Sequence, residues 1–226
     1  NVIGFNATMP HKEDLIPLLD ELDGDATCIG AVNTVCVRDG RLIGHNTDGG
    51  GCLAALEEAG LWPQDQVVLL GAGGAAKAVA LTLAASGARR IWVCNRTLAK
   101  AQALADADPS HVLVPADLSP ETLKRLCAQA GLVVNCTNLG MAGCGQFSDF
   151  SFLDTLPSEA GVFDLIYHPA ETQLLAQARA RGLRVCNGLP MLLHQAVLAL
   201  EHFLDRPLDR DRMARAAGEA LARESS

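Results

Sequence analysis

Aromatic residues are scarce in this chain: two Trp, one Tyr and six Phe among 226 residues. Its core must therefore be built from Ala, Val, Leu and Ile, which suits an α/β protein. Long apolar runs are missing too. None reaches the ~18 residues needed to span a bilayer, and no cleavable signal is visible, so no membrane partner is expected. Positive charge is in deficit: 18 Lys and Arg against 26 Asp and Glu leave a net charge of −8. That balance argues against a nucleic-acid binder. The eight cysteines contain no CxxC pair, and the six histidines show no HExxH or other metal spacing. A disulfide frame and a zinc site are both disfavoured, and no metal is implied. Several cysteines lie in apolar strands and read as buried thiols of a reducing compartment, which places the chain in the cytoplasm.

What is present is a strand, a glycine turn and a helix in that order. Val67-Val68-Leu69-Leu70 runs into Gly71-Ala72-Gly73-Gly74, and the alanine-rich Ala75-Ala76-Lys77-Ala78 follows. Glycines let a backbone approach a pyrophosphate, and the helix N-terminus faces it. Ala76 sits where the third glycine of the dinucleotide fingerprint usually allows close helix–strand packing. Alone, the turn fits any α/β protein. The next strand, Ile91-Trp92-Val93-Cys94, narrows the reading because it ends at Asn95-Arg96-Thr97. Asn95 lies 24 positions after Gly71, near the ~20-residue offset at which NAD enzymes place an acid on the ribose. Here that position is neutral and an arginine follows. A carboxylate would repel a 2′-phosphate, whereas Arg96 can grip one, with Lys100 one turn later. NADP is therefore preferred over NAD. The plainer reading of Arg96 and Lys100 is a solvated helix start.

Apolar periodicity predicts a helix over 14–22, with Leu15, Leu18, Leu19 and Leu22 on one side, and a hairpin of strands 31–37 and 42–45 turned at Arg38-Asp39-Gly40. A helix over 52–59 ends at Gly60, and Trp62–Asp65 is a polar linker. Strands at 67–70, 91–94, 132–135, 162–166 and 184–186 then alternate with helices at 75–86, 98–106, 120–130 and 171–181. A glycine-bearing loop spans 138–146, and two helices split near Pro207 occupy roughly 191–223. The fold class expected is α/β: a doubly wound parallel sheet, Rossmann-like, plus a smaller discontinuous α/β domain. The boundaries read as a substrate and catalytic domain over 1–58, completed by helices in 189–226, and a dinucleotide domain over 59–188. The chain starts at Asn1, without methionine, and soon enters a chemically loaded loop, so a preceding segment is expected.

That loop is Asn6-Ala7-Thr8-Met9-Pro10-His11-Lys12. Lys12 is one of only four lysines, and a proline-fixed turn at a helix start can aim its ammonium for acid–base work. An ordinary exposed lysine is equally compatible. In Gly44-His45-Asn46-Thr47-Asp48-Gly49-Gly50-Gly51, an apolar strand delivers Thr47 and Asp48 into a bend before a helix. Asp48 can be a plain N-cap, or it can hold Lys12 and a substrate hydroxyl. Asn33, in Gly30-Ala31-Val32-Asn33-Thr34, can bind a polyol or satisfy a turn.

Together these blocks resemble the shikimate dehydrogenase family over the whole chain. Asp164-Leu165-Ile166-Tyr167 and Asn187-Gly188-Leu189-Pro190-Met191-Leu192 complete the match. The resemblance implies reversible, NADP-dependent reduction of 3-dehydroshikimate to shikimate, a step of aromatic amino-acid biosynthesis. It implies Lys12 and Asp48 as the catalytic pair. Asp48, Thr8, Asn33, Tyr167 and Gln195 fall at substrate positions. Gly71, Ala72, Gly73, Gly74 and Ala75 fall at the pyrophosphate, and Asn95, Arg96 and Thr97 at the 2′-phosphate. Leu165 and Gly188 fall beside the nicotinamide. The expected partner is this small molecule, with the chain a monomer or homodimer.

Departures are few. Ala7 stands for a more usual valine, and Asn187 for an aspartate. The family's opening strand and Ser-x-Ser pair have no counterpart here, so NADP binding with poor turnover is one expectation. Quinate oxidation with relaxed cofactor use and a non-catalytic NADP-binding protein are the alternatives. A folate dehydrogenase would share the two-lobed plan but lacks the Asn-Thr-Asp-Gly bend.

Overall fold

The computed structural model describes residues 2–8 and 11–224. The chain divides into two compact units, one of residues 1–55 and 190–226, the other of residues 56–189.

The larger unit carries the β–α alternation. Strands β5 (Gln66–Leu70), β6 (Arg90–Cys94), β7 (Leu113–Ala116), β8 (Leu132–Asn135), β9 (Gly161–Asp164) and β10 (Arg184–Cys186) form one sheet in the order β10-β9-β8-β5-β6-β7. Every neighbouring pair in it is parallel. Helices cover both faces of such a sheet, so its strands read as unbroken apolar runs rather than alternating ones. Val67 through Leu70 and Leu132 through Asn135 are fully buried. The chain winds outward from β5 to β7 and then returns to β8 on the other side. This reversal creates a switch point beyond the carboxyl ends of β5 and β8, where doubly wound sheets bind ligands. Helices α3 (Gly74–Ala85), α4 (Leu98–Asp106), α5 (Pro120–Cys127) and α6 (Gln173–Ala180) make the crossovers. Strand β7 lies in what reads as a Pro-rich connection. Pro115 cannot donate to a ladder, and the strand is tolerated because it is the sheet's edge.

The smaller unit holds a four-stranded sheet in the order β1-β3-β4-β2, from β1 (Gly4–Asn6), β2 (Glu21–Leu22), β3 (Thr34–Arg38) and β4 (Arg41–His45). The β3–β4 hairpin turns where expected. The helix predicted over 14–22 does not form. Pro17 lacks an amide donor and confines the segment to a single 3-10 turn, Ile16–Leu18, after which Leu19 is extended (φ −101°, ψ 148°). Leu15, Leu19 and Leu22 still pack on Ala26, Val32 and Val35, but Leu18 faces solvent. The same unit contains α1 (Gly24–Ile29), most of α2 (Asp48–Glu58, whose residues 56–58 fall in the larger unit), α7 (Leu189–Leu204) and α8 (Arg210–Glu224). Among the described residues no helix is long and apolar enough to cross a membrane. Nor does any cysteine pair form a disulfide; four cysteines are buried, but Cys28 is exposed.

Candidate active site

Strand direction explains why the smaller unit gathers Lys12, Asn33 and Asp48. β3 runs antiparallel to both β1 and β4, with Thr34 opposite Asn6 on one side and His45 on the other. The end of β1, the start of β3 and the end of β4 thus share one edge of the sheet. Lys12 lies a few residues beyond the first, Asn33 just before the second, and Asp48 just beyond the third.

Side-chain contacts finish the arrangement. Lys12 Nζ donates to Asp48 Oδ2 at 2.5 Å, with the lysine side chain 17% exposed and the aspartate 5%. Asn33 Nδ2 donates to Asp48 Oδ1 at 2.8 Å and to Thr47 Oγ1 at 3.0 Å, and lies 3.4 Å from Gln195 Oε1. Its Oδ1 accepts from the Thr47 amide and from Thr34 Oγ1, both at 2.9 Å. Asn46 fixes the bend from below: its Nδ2 donates to the Ala31 carbonyl, and its Oδ1 accepts from the Asp48 amide. Asp48 is the first residue of α2 rather than its cap, since the Gly51 amide bonds the Thr47 carbonyl. Its carboxylate therefore sits in the first turn, where the helix dipole favours negative charge. Gln195 reaches this group because α7 presses on α2. A Cβ at Gly51 would fall 2.8 Å from Gln195 Cβ and 2.9 Å from the Met191 carbonyl oxygen.

Thr8 stays outside this network. It is exposed, and its carbonyl accepts from the His11 amide at 2.9 Å. Lys12 occupies a turn rather than a helix start, held where its carbonyl accepts from the Val32 amide at 2.8 Å. The proline-fixed turn expected at Met9-Pro10 lies outside the described residues.

In the larger unit the switch point is a hollow of about 250 Å³ lined by Gly71, Ala72, Gly73, Asn95, Arg96, Leu118 and residues 136–139. Gly71 has φ +108°, and a Cβ there would meet the Cys136 backbone at 3.2 Å, so only glycine turns the chain here. Around Gly73 and Gly74 there is open space: a Cβ on either would meet nothing within 4 Å. Gly73 caps α3 without a side chain, so the helix's first amides are left to an incoming acceptor. Ala75, in the first turn of α3, follows them. Asn95 Nδ2 donates to the Thr97 carbonyl, tying the turn after β6. Arg96, Thr97 and Lys100 are exposed, and neither cation has an ion-pair partner among the described residues. A glycine cradle, uncapped helix amides and an uncommitted guanidinium fit a phosphorylated dinucleotide.

Three family models match the chain. They describe the shikimate dehydrogenase substrate binding domain (residues 1–35), shikimate / quinate 5-dehydrogenase (54–140) and the shikimate 5′-dehydrogenase C-terminal domain (188–217). A shikimate dehydrogenase (NADP(+)) of Symbiobacterium thermophilum is 44% identical over 226 residues, 97% of this chain and 76% of that protein. The chain belongs to the shikimate dehydrogenase family. Among solved structures, the quinate dehydrogenase of Corynebacterium glutamicum in complex with NAD is similar at TM-score 0.84 and 37% identity, covering 95% of this chain and 77% of that one. Shikimate 5-dehydrogenase from Thermus thermophilus, in complex with NADP(H) and shikimate, gives 0.80 and 37%, covering 96% and 79%.

The remaining positions of this family member lie at the ends of β9 and β10. A Cβ at Gly188 would fall 1.9 Å from the Leu165 carbonyl oxygen, so the two backbones touch. Tyr167 is half exposed on the larger unit. The motifs do not point to the network beneath them. Asp164, fully buried, accepts from Thr172 Oγ1 at 2.6 Å, Asn135 Nδ2 at 3.0 Å and the Ile166 amide at 3.1 Å. Asn135 Oδ1 in turn accepts from the amide and hydroxyl of Thr137. Burial pushes the Asp164 carboxyl up, against these hydrogen bonds, which favour its charged form. The signal available in the sequence is a polar residue closing each of two apolar strands, Asn135 opposite Asp164 in register.

Proposed function

We propose that this chain is an NADP-dependent oxidoreductase interconverting 3-dehydroshikimate and shikimate, with Lys12 as its acid–base group. The observation that carries the reading is the Lys12–Asp48 contact, backed by Asn33. The smaller unit serves the substrate and the larger one the dinucleotide. The bound dinucleotide supplies hydride chemistry, held by the backbone of 71–75 and, at its 2′-phosphate, by Asn95, Arg96 and Thr97. Leu165 and Gly188 shape the nicotinamide end.

Lys12 holds a proton at Nζ and delivers it to the substrate carbonyl oxygen during reduction. In the reverse direction it takes the proton from the hydroxyl. Asp48 fixes the ammonium through Oδ2, and its other oxygen is already held by Asn33. On the smaller unit Asn33, Gln195 and Thr8 offer amide and hydroxyl groups of the kind a polyol requires, and Tyr167 offers a hydroxyl on the larger unit. The free, buried thiols Cys94 and Cys127 fit a reducing compartment such as the cytoplasm.

The test is NADPH oxidation with 3-dehydroshikimate, run beside NADH and beside quinate with NAD. Turnover should be fastest with the first pair. Lys12→Ala should lower kcat by about 10²–10⁴-fold, the usual worth of a positioned acid–base group, while NADPH affinity changes less than about twofold. Undiminished turnover in that variant removes Lys12 from the mechanism, and faster quinate oxidation assigns the chain to that substrate.

A further inference from the structure

Three metal-ligating side chains stand together at a place the proposed reaction does not use. Asp23 caps α1, its Oδ1 accepting from the Ala26 amide at 2.7 Å. Its Oδ2 lies 2.5 Å from His45 Nδ1 at the end of β4. The ring of His202, in the last turns of α7, stacks on His45 with centroids 3.9 Å apart and planes 25° apart. One donor atom from each residue lies within 4.8 Å of the other two. The ring nitrogens of His202 have no hydrogen-bond partner among the described residues. Beside the cluster is a cavity of about 470 Å³, lined by both histidines with Cys36, Arg38, Asp205 and Pro207.

Two imidazoles and one carboxylate are a donor set for borderline divalent ions of the zinc class; Mg²⁺ and Ca²⁺ prefer oxygen alone. We propose that Asp23, His45 and His202 form a binding site for a Zn²⁺-class divalent ion, with its remaining coordination position open to the cavity. Tetrahedral ligation at ordinary zinc distances needs donors about 3.4 Å apart, so the Asp23–His45 contact must open by under about 1 Å and the His202 ring must turn out of its stack on His45, since stacked imidazoles aim their in-plane lone pairs side by side rather than at one ion.

The surroundings favour this. Helix capping orients the carboxylate, the outer support that metal ligands require. The Ala26 amide and the His45 ring each hold one oxygen of the Asp23 carboxylate. Of the nearby cations, Arg38 is committed to the His202 carbonyl and Asp205, and Arg210 to Glu201, while the exposed Arg206 also lines the cavity. The three donors come from a helix cap, a strand and a helix, far apart in the chain, so no ligand spacing betrays them.

Calorimetric titration of the metal-stripped chain with Zn²⁺ tests the site. One equivalent should bind. His202→Ala should weaken binding about tenfold or more while keeping its circular dichroism and NADPH affinity. His202→Cys should restore binding and, with Co²⁺, gain a thiolate charge-transfer band absent from the parent. Failure of the parent to bind one equivalent overturns the proposal. So does equal affinity in His202→Ala, which would put the ion on the thiols.

Discussion

The two units build their sites by opposite means. Around Lys12 and Asp48, polar side chains hold one another and the nearby backbone: Asn33 bonds Thr34, Thr47 and Asp48, and Asn46 ties the Asp48 amide to the Ala31 carbonyl. At the switch point of the larger unit, binding capacity comes from backbone laid bare. Glycines turn there, and α3 starts without a side-chain cap. A site that moves a proton needs an aimed side chain, fixed by partners. A site that holds phosphates needs amides and room. Removing atoms should therefore damage the first, and adding atoms should damage the second.

Lys12→Ala is the large effect on the first side of this contrast. Its counterparts on the second are two glycines of different kinds. Gly188→Ala drives a Cβ into the Leu165 backbone, 1.9 Å from its oxygen. Neither backbone can yield cheaply, and a loss on the order of 3 kcal/mol or more is expected in urea unfolding. Gly73→Ala meets nothing within 4 Å and keeps an allowed φ of −91°. Its stability should stay within about 0.5 kcal/mol, while NADPH binding weakens by roughly tenfold or more because the methyl enters the phosphate's approach. If Gly73→Ala binds NADPH as the parent does, the room at that turn serves no ligand.

Asp164 sharpens the contrast, because it is a side-chain network inside the backbone-built unit. Asp164→Ala strips the acceptor from Thr172, Asn135 and the Ile166 amide together, a loss of about 2–4 kcal/mol. The pH dependence carries the finer test. The folded carboxyl titrates above its unfolded value, so the folded state binds the proton more tightly. The stability this contributes is complete below the unfolded value of about 3.9. It is lost as pH rises from there through the raised folded value. Asp164→Asn should flatten that segment of the stability–pH curve, and an unchanged slope would assign it to another group.

How much of this the sequence discloses depends on which force sets each piece. The parallel sheet is legible because strands buried on both faces must be continuous apolar runs, as Val67–Leu70 and Leu132–Val134 are. The glycine turn is legible because few residues other than glycine accept its φ. Where tertiary pairing overrides pattern, the reading fails. The leucines of 14–22 have helical spacing, yet Pro17 and the pairing of Glu21 and Leu22 with β4 decide that segment. Strand β7 hides behind Pro115, which only an edge allows. The amides and threonines around Asp48 have unremarkable spacing, and only the antiparallel order of β1, β3 and β4 shows why they meet.

Arg96 is the smallest test and bears on a charged side chain that lines the hollow of the backbone-built site. It is exposed, with no ion-pair partner among the described residues, so removing it leaves no orphaned charge in the fold. Stability should be unchanged. A guanidinium–phosphate contact is charge-assisted, worth about 1.5–3 kcal/mol, so Arg96→Ala should weaken NADP binding by roughly tenfold to a hundredfold. NAD carries no 2′-phosphate, and its affinity should barely move. Fluorescence titrations of both dinucleotides, repeated in added salt, separate the outcomes: the NADP preference should shrink with salt in the parent and be nearly salt-independent in the variant. Equal losses for the two dinucleotides would mean that Arg96 supports the turn after β6 rather than a phosphate. The larger unit would then recognise its ligand by backbone alone.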